Sequence, residues 1–161
     1  MKVHRMPRWQ VATVPDAKTW LRGHVDEGAL CPCCGQLAKV YRRKLNTVHA
    51  HSLVLMWRAA GMEWQHVPTT VEPITKGGGE AAKLRLWGLI EEELERRPDG
   101  GRSGWWRITE RGRAFVLGET TVPRFAVLYD NRCLGVEGER IDIREALGDK
   151  FDYGELMGLL H

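Results

Sequence analysis

At 161 residues, with 43% hydrophobic and 28% charged side chains, the chain is long enough for one core and a small appendage but not for two independent domains. It contains no run of about 18 apolar residues, and its opening MKVHRMPRWQ lacks the apolar stretch of a signal peptide, which predicts a cytoplasmic protein with no membrane partner. The net charge of +3 hides a gradient: residues 1–58 carry ten Lys/Arg against three Asp/Glu, and residues 119–161 five against nine. That is either a basic face for a polyanion and an acidic end for another partner, or two ends of opposite sign packed together.

The first predicted element is an amphipathic helix over residues 13–28. Thr13 and Asp16 form a capping box, Pro15 sits in the first turn, Ala17, Trp20, Leu21, His24 and Val25 make one apolar stripe, and Gly28 ends it. His24 lies on the stripe and reads as a half-buried, hydrogen-bonded histidine rather than a ligand. Next comes Cys31-Pro32-Cys33-Cys34-Gly35, a C-P-x-C-G turn of the kind that aims backbone N–H groups at two thiolates on one metal ion. Cys31 and Cys34 are thus candidate ligands of a structural zinc. No second C-x₂-C pair follows downstream, so the further ligands would have to come from Cys133, His24, His49, His51 or His66. Four cysteines, three of them bunched, fit a reducing compartment better than a disulfide framework. The alternative to zinc is a ribbon-like hairpin that keeps its turn without metal.

Residues 37–45 read as a returning strand whose end is densely basic. Lys39, Arg42, Arg43 and Lys44, with Tyr41 among them, form the best candidate polyanion patch in the chain, because phosphate contacts need clustered mobile cations and an interleaved aromatic can stack. Asn46 then caps a helix through Ala60 that Gly61 closes. It is apolar nearly all round, the mark of a central buried helix. Thr69 and Glu72 suggest another capping box, for a very short helix ending at Gly77. Gly77-Gly78-Gly79 lacks the Lys-Ser/Thr of a phosphate-binding loop and reads as a turn between helices. In the helix from Glu80 to about Trp87, a period of 3.6 turns Ala81, Ala82, Leu84 and Leu86 inward with Arg85 among them, and Glu80, Lys83 and Trp87 outward, although Trp87 at the helix end reads as core filler rather than an exposed stacker. Lys83 is the candidate groove contact.

A hairpin follows, with strands expected from about Leu89 to Arg96 and from Trp105 to Thr109 around a Pro/Gly-rich loop. Alternation puts Ile90, Leu94, Trp106 and Ile108 on one face and Glu91, Glu93, Glu95, Arg107 and Thr109 on the other. Arg96, Arg97 and Arg102 at the loop are candidate minor-groove or backbone contacts. The carboxylates of Glu91, Glu92, Glu93 and Glu95 beneath them repel phosphate. Here the chain resembles the MarR and PadR type of winged helix-turn-helix, on Trp87-Gly88-Leu89-Ile90-Glu91 and on Trp106-Arg107-Ile108-Thr109-Glu110-Arg111-Gly112-Arg113-Ala114. The resemblance spans about residues 46–118 and implies a wing, a recognition helix and double-stranded DNA as partner. "CPCCGQ…YRRKLN", "AKLRLWGLIE" and "FDYGELM" further resemble small winged-helix proteins of tailed phages of actinobacteria, which implies a host cytoplasm.

Beyond Gly118 a hairpin around Asp130-Asn131 is expected, then two short helices capped by Asp142 and Glu145 and by Asp152 and Glu155. Tyr153, Leu156, Met157 and Leu160 form an apolar stripe, either docked on the same unit or offered to a second copy or another protein from acidic surroundings. The expected fold is α+β: an N-terminal helix with knuckle and basic hairpin (1–45), a winged helix-turn-helix (46–118), and a C-terminal hairpin with two helices (119–161). No nucleophile, base and orienter can be assembled, so no enzyme and no catalytic residue are expected. The expected function is nucleic-acid binding in transcription regulation; the alternative is a protein-docking module of the same fold.

Overall fold

The computed structural model describes residues 2–7, 13–95 and 104–159. Helices and small antiparallel sheets alternate in an α+β arrangement. The chain divides into a smaller unit, residues 1–43 with 127–135, and a larger one, residues 44–126 with 136–161.

In the smaller unit α1 runs Val14–Arg22, with the Thr13 hydroxyl accepting the amide of Asp16 at 3.3 Å. It ends six residues before Gly28. The His24 amide turns to the carbonyl of Leu21, and its ring Nδ1 donates to Trp20 O at 2.7 Å, so the last carbonyls are satisfied without another helical turn. His24 is half-buried and stacked on Trp20. Strands β1 (Ala29–Leu30) and β2 (Leu37–Ala38) pair as an antiparallel hairpin around the knuckle. The expected single returning strand is broken at Lys39-Val40, where the Val40 amide bonds to Val25 O, and resumes as β3 (Tyr41–Lys44).

The larger unit is organised around α2 (Thr47–Ala60). Its Asn46 cap is reciprocal: the Asn46 side chain accepts the His49 amide at 3.0 Å, and His49 Nδ1 accepts the Asn46 amide at 3.1 Å. Leu53, Val54 and Met56 are fully buried in a core completed by Trp87, Phe115, Ile141 and Leu147. β4 (Gln65–His66) leads into two single turns, α3 (Val67–Thr70) and α4 (Glu72–Thr75). These replace the one expected helix because Pro73 has no N–H to give Thr69 O. Thr69 does not cap α4; its hydroxyl donates back to His66 O at 3.0 Å. The three glycines form the expected turn, with the Gly79 amide held by the Glu72 carboxylate at 3.0 Å.

Residues Glu80–Trp87 form a 3₁₀ helix, not an α-helix. With three residues per turn, Ala81, Leu84 and Trp87 superimpose on one face and all three are buried. Trp87 therefore points inward, its Nε1 donating to Pro123 O at 2.8 Å, while Arg85 is exposed and Lys83 half-buried. Strands β5 (Ile90–Glu92) and β6 (Trp105–Ile108) pair antiparallel, Ile90 opposite Ile108 and Glu92 opposite Trp106. β4 joins the far side of β6, giving the order β4-β6-β5. The expected inward Leu94 is 90% exposed, because β5 stops at Glu92 and the core does not extend past Trp106. α5 (Glu110–Val116) follows, capped by Thr109.

Strands β7 (Val122–Tyr129) and β8 (Arg132–Ile141) extend well beyond the expected hairpin. Asp130 and Asn131 turn the chain at φ 51° and 59°, the two positive values that a tight two-residue hairpin requires. α6 (Ile143–Leu147) and α7 (Tyr153–Leu156) carry the expected Asp142 and Asp152 caps. Both dock on their own unit: Arg58 donates to Leu156 O at 2.8 Å and the Tyr153 hydroxyl to Val116 O at 2.7 Å. Tyr153, Leu156 and Met157 pack against the core.

His51 of α2 lies 4.2 Å, centroid to centroid, from Phe151. Burial, with a smaller contribution from the Lys150 ammonium, holds its pKa below the usual 6.5. The unfolded chain then binds this proton at higher pH than the folded one, so the linked stability is present above the unfolded pKa and lost as pH falls through 6.5 toward the folded value. Urea titrations across that range are expected to show a shallower acid-side loss in His51→Gln than in the wild type.

Candidate nucleic-acid interface

The residues expected to meet nucleic acid fall in different parts of the chain. Lys39, Tyr41, Arg42 and Arg43 belong to the smaller unit, and Lys44 begins the larger one. Tyr41, Arg42 and Lys44 are exposed, and Lys39 and Arg43 half-buried. The Lys39 ammonium sits 5.7 Å from the centroid of the Tyr41 ring, a cation–π contact that holds the two side chains together. Lys83 and the newly outward Arg85 lie on the 3₁₀ helix of the larger unit. Arg96, Arg97 and Arg102 lie outside the described residues.

The outer face of the β4-β6-β5 sheet carries a cluster that the sequence reading missed. Trp64 and Trp105 are 37% and 42% exposed. The Arg107 guanidinium lies 4.5 Å over the Trp64 ring and also pairs with Glu91, while Trp105 faces His66 at 5.6 Å. Alternation along Trp105-Trp106-Arg107-Ile108 contained the signal for Trp105: if Trp106 and Ile108 face the core, Trp105 and Arg107 face out. The ion pair with Glu91 also neutralises one of the four strand carboxylates.

The knuckle has the local geometry its spacing predicts. The Cys31 amide donates to Gln36 O and the Gly35 amide to Cys31 O, both at 2.8 Å, with Gly35 at φ 74°. Backbone N–H groups of Cys34 and, less strongly, Cys33 hydrogen-bond to the Cys31 sulfur and hold its thiol below the usual range. None of the four cysteines is joined in a disulfide. Among the described residues no group of three or more His, Cys, Asp or Glu side chains is gathered to hold a metal. His24 is committed to Trp20 O, and His49 bonds Glu80. The described residues thus supply Cys31 and Cys34 but not the four-ligand set of a structural zinc.

The chain matches no protein-family model, no curated protein and no solved structure.

Proposed function

We propose that the protein is a nucleic-acid-binding winged-helix protein, acting on double-stranded DNA as a small phage-type transcriptional regulator or accessory factor. The observation that carries this reading is the order of elements in the larger unit. A buried helix, α2, is followed by β4, by two short turns and the 3₁₀ helix, and then by the β5–β6 pair with β4 on its far side. That order supports reading the unit as a helix-turn-helix followed by a wing. Arg85 and Lys83 stand at the position of the recognition helix. The basic strand adds phosphate contacts that carry no sequence information.

The test is an affinity titration on random-sequence duplex DNA at two salt concentrations. Wild type is compared with Arg42→Ala/Arg43→Ala and, separately, with Lys83→Ala/Arg85→Ala and with Arg96, Arg97 and Arg102 changed to alanine. Each lost phosphate contact is expected to lower the slope of log affinity against log salt by about 0.9. Absence of wild-type binding at low salt overturns the reading.

One observation favours a second reading, a protein-docking module: tryptophan and arginine are the side chains that anchor protein interfaces, and Trp64, Trp105 and Arg107 stand together on one sheet face. Under that reading, Trp64→Ala/Trp105→Ala abolishes partner binding while leaving any DNA affinity unchanged.

A further inference from the structure

The smaller unit contains a cavity of about 550 Å³, lined by Lys2, Asp26, Glu27, Lys39, Tyr41 and Arg42 together with the buried Val40. Its volume falls in the range of small-molecule sites, roughly 300–1,000 Å³. The mixture of charges narrows the ligand. A bare phosphate would be drawn by Lys2, Lys39 and Arg42 but opposed by Asp26 and Glu27, and a bare cation would meet the reverse. The complementary ligand has an anionic end, an end rich in N–H donors, and a flat apolar surface between them.

Tyr41 supplies the surface for that middle part. It is 55% exposed, and the Lys39 ammonium against its ring brings a cation beside the stacking platform. The two carboxylates are both exposed but not equivalent. Glu27 accepts from His4 Nε2 at 2.5 Å, a contact that lowers its pKa, and Asp26 lines the same cavity beside it. A carboxylate presents two acceptor oxygens side by side. Among the bases, guanine offers adjacent N–H donors, at N1 and N2, that match them.

We infer that this cavity binds a guanine nucleotide, with the base stacked on Tyr41, its N1–H and N2–H donating to Asp26, and the phosphate held by Lys2, Lys39 and Arg42. The ligand is either a free mononucleotide or the guanosine 5′-phosphate end of a single strand. Only the second source rests on the nucleic-acid reading above.

Equilibrium dialysis of the full chain against GMP and AMP at low salt tests this. GMP is expected to bind saturably and about tenfold more tightly than AMP, with Tyr41→Ala weakening both about tenfold. Asp26→Asn is expected to remove the preference by weakening GMP alone, and Arg42→Ala to steepen the loss of GMP affinity relative to guanosine. All three positions are exposed, and unchanged melting temperatures verify that the variants fold. A 5′-phosphorylated hexanucleotide beginning with guanine that binds more tightly than GMP identifies a strand end; one that binds no better identifies the free nucleotide. The inference is overturned by absence of saturable GMP binding at millimolar concentration, by equal GMP and AMP affinities in wild type, or by a preference that survives Asp26→Asn. Loss of duplex binding with GMP binding intact overturns the regulator reading and leaves this site standing.

Discussion

A Gly112→Ala substitution is expected to destabilise the larger unit by about 3 kcal/mol or more, at the upper end of what one added methyl group does to a packed core. A Cβ at this position would lie 2.0 Å from the backbone oxygen of Leu89 and 2.8 Å from Ile108 Cγ2. Neither neighbour can give way locally. The Leu89 carbonyl accepts the Thr109 amide at 3.0 Å, the Thr109 hydroxyl donates to Gly88 O at 2.6 Å, and that hydroxyl also caps the Gly112 amide at 3.1 Å. The first turn of α5 is thus clamped onto the entry to β5 by bonds that fix the distance a methyl would have to widen. Gly118→Ala is the control: Gly118 has φ 77° and open space around its Cβ direction, so it should lose only about 1 kcal/mol from backbone strain. Urea unfolding of both variants decides the matter. Equal losses at the two positions would show that the contact at Gly112 is not a limit on packing.

That glycine lies inside the W-R-I-T-E-R-G-R-A run, where the sequence showed the residue but not its reason. What sequence conveys well here is local hydrogen-bond chemistry. Thr13, Asn46, Thr109, Asp142 and Asp152 all accept the amides of their helices, and Asp130-Asn131 turns its hairpin, because each of these side chains acts within a few residues of its own position. Features set by a choice of period or by tertiary contact were hidden. The 3.6 and 3.0 periods agree at Ala81 and Leu84 and diverge at Arg85 and Trp87, so assuming an α-helix sent the arginine inward and left Trp87 readable as core only as filler at the helix end. Leu94 looked like a core residue because alternation says which face a side chain takes and nothing about where the core ends. For the candidate sites, the basic run was legible as a cluster of Lys39 and Arg42. Their company with Lys2, Asp26 and Glu27 was not, since it depends on the chain returning through a hairpin and a bend.

His49 is the other place where a residue's role differs from what its type suggested, and its replacement is expected to have a comparably large effect. Among the candidate metal ligands it has the least exposure, 0%, and its two ring nitrogens do different work. Nδ1 accepts the Asn46 amide, which puts the ring proton on Nε2, 2.8 Å from the Glu80 carboxylate. One side chain therefore completes the start of α2 and ties it to the start of the 3₁₀ helix, the element offered to DNA in the proposed function. His49→Ala removes a cap interaction of about 1 kcal/mol, a buried hydrogen bond to a charged group, and the ring that packs 6.0 Å from Trp87. A loss of roughly 3 kcal/mol is expected, discounted from a simple sum because Glu80 is 32% exposed on its side chain and regains water. The double-mutant cycle with Glu80→Ala separates the link between the elements from the cap, with a coupling of about 1 kcal/mol expected. Nitrogen chemical shifts should show Nδ1 unprotonated and Nε2 protonated at neutral pH. If the two substitutions are instead additive, the hydrogen bond to Glu80 adds nothing measurable, and the 3₁₀ helix is held in place by Ala81, Leu84 and Trp87 alone.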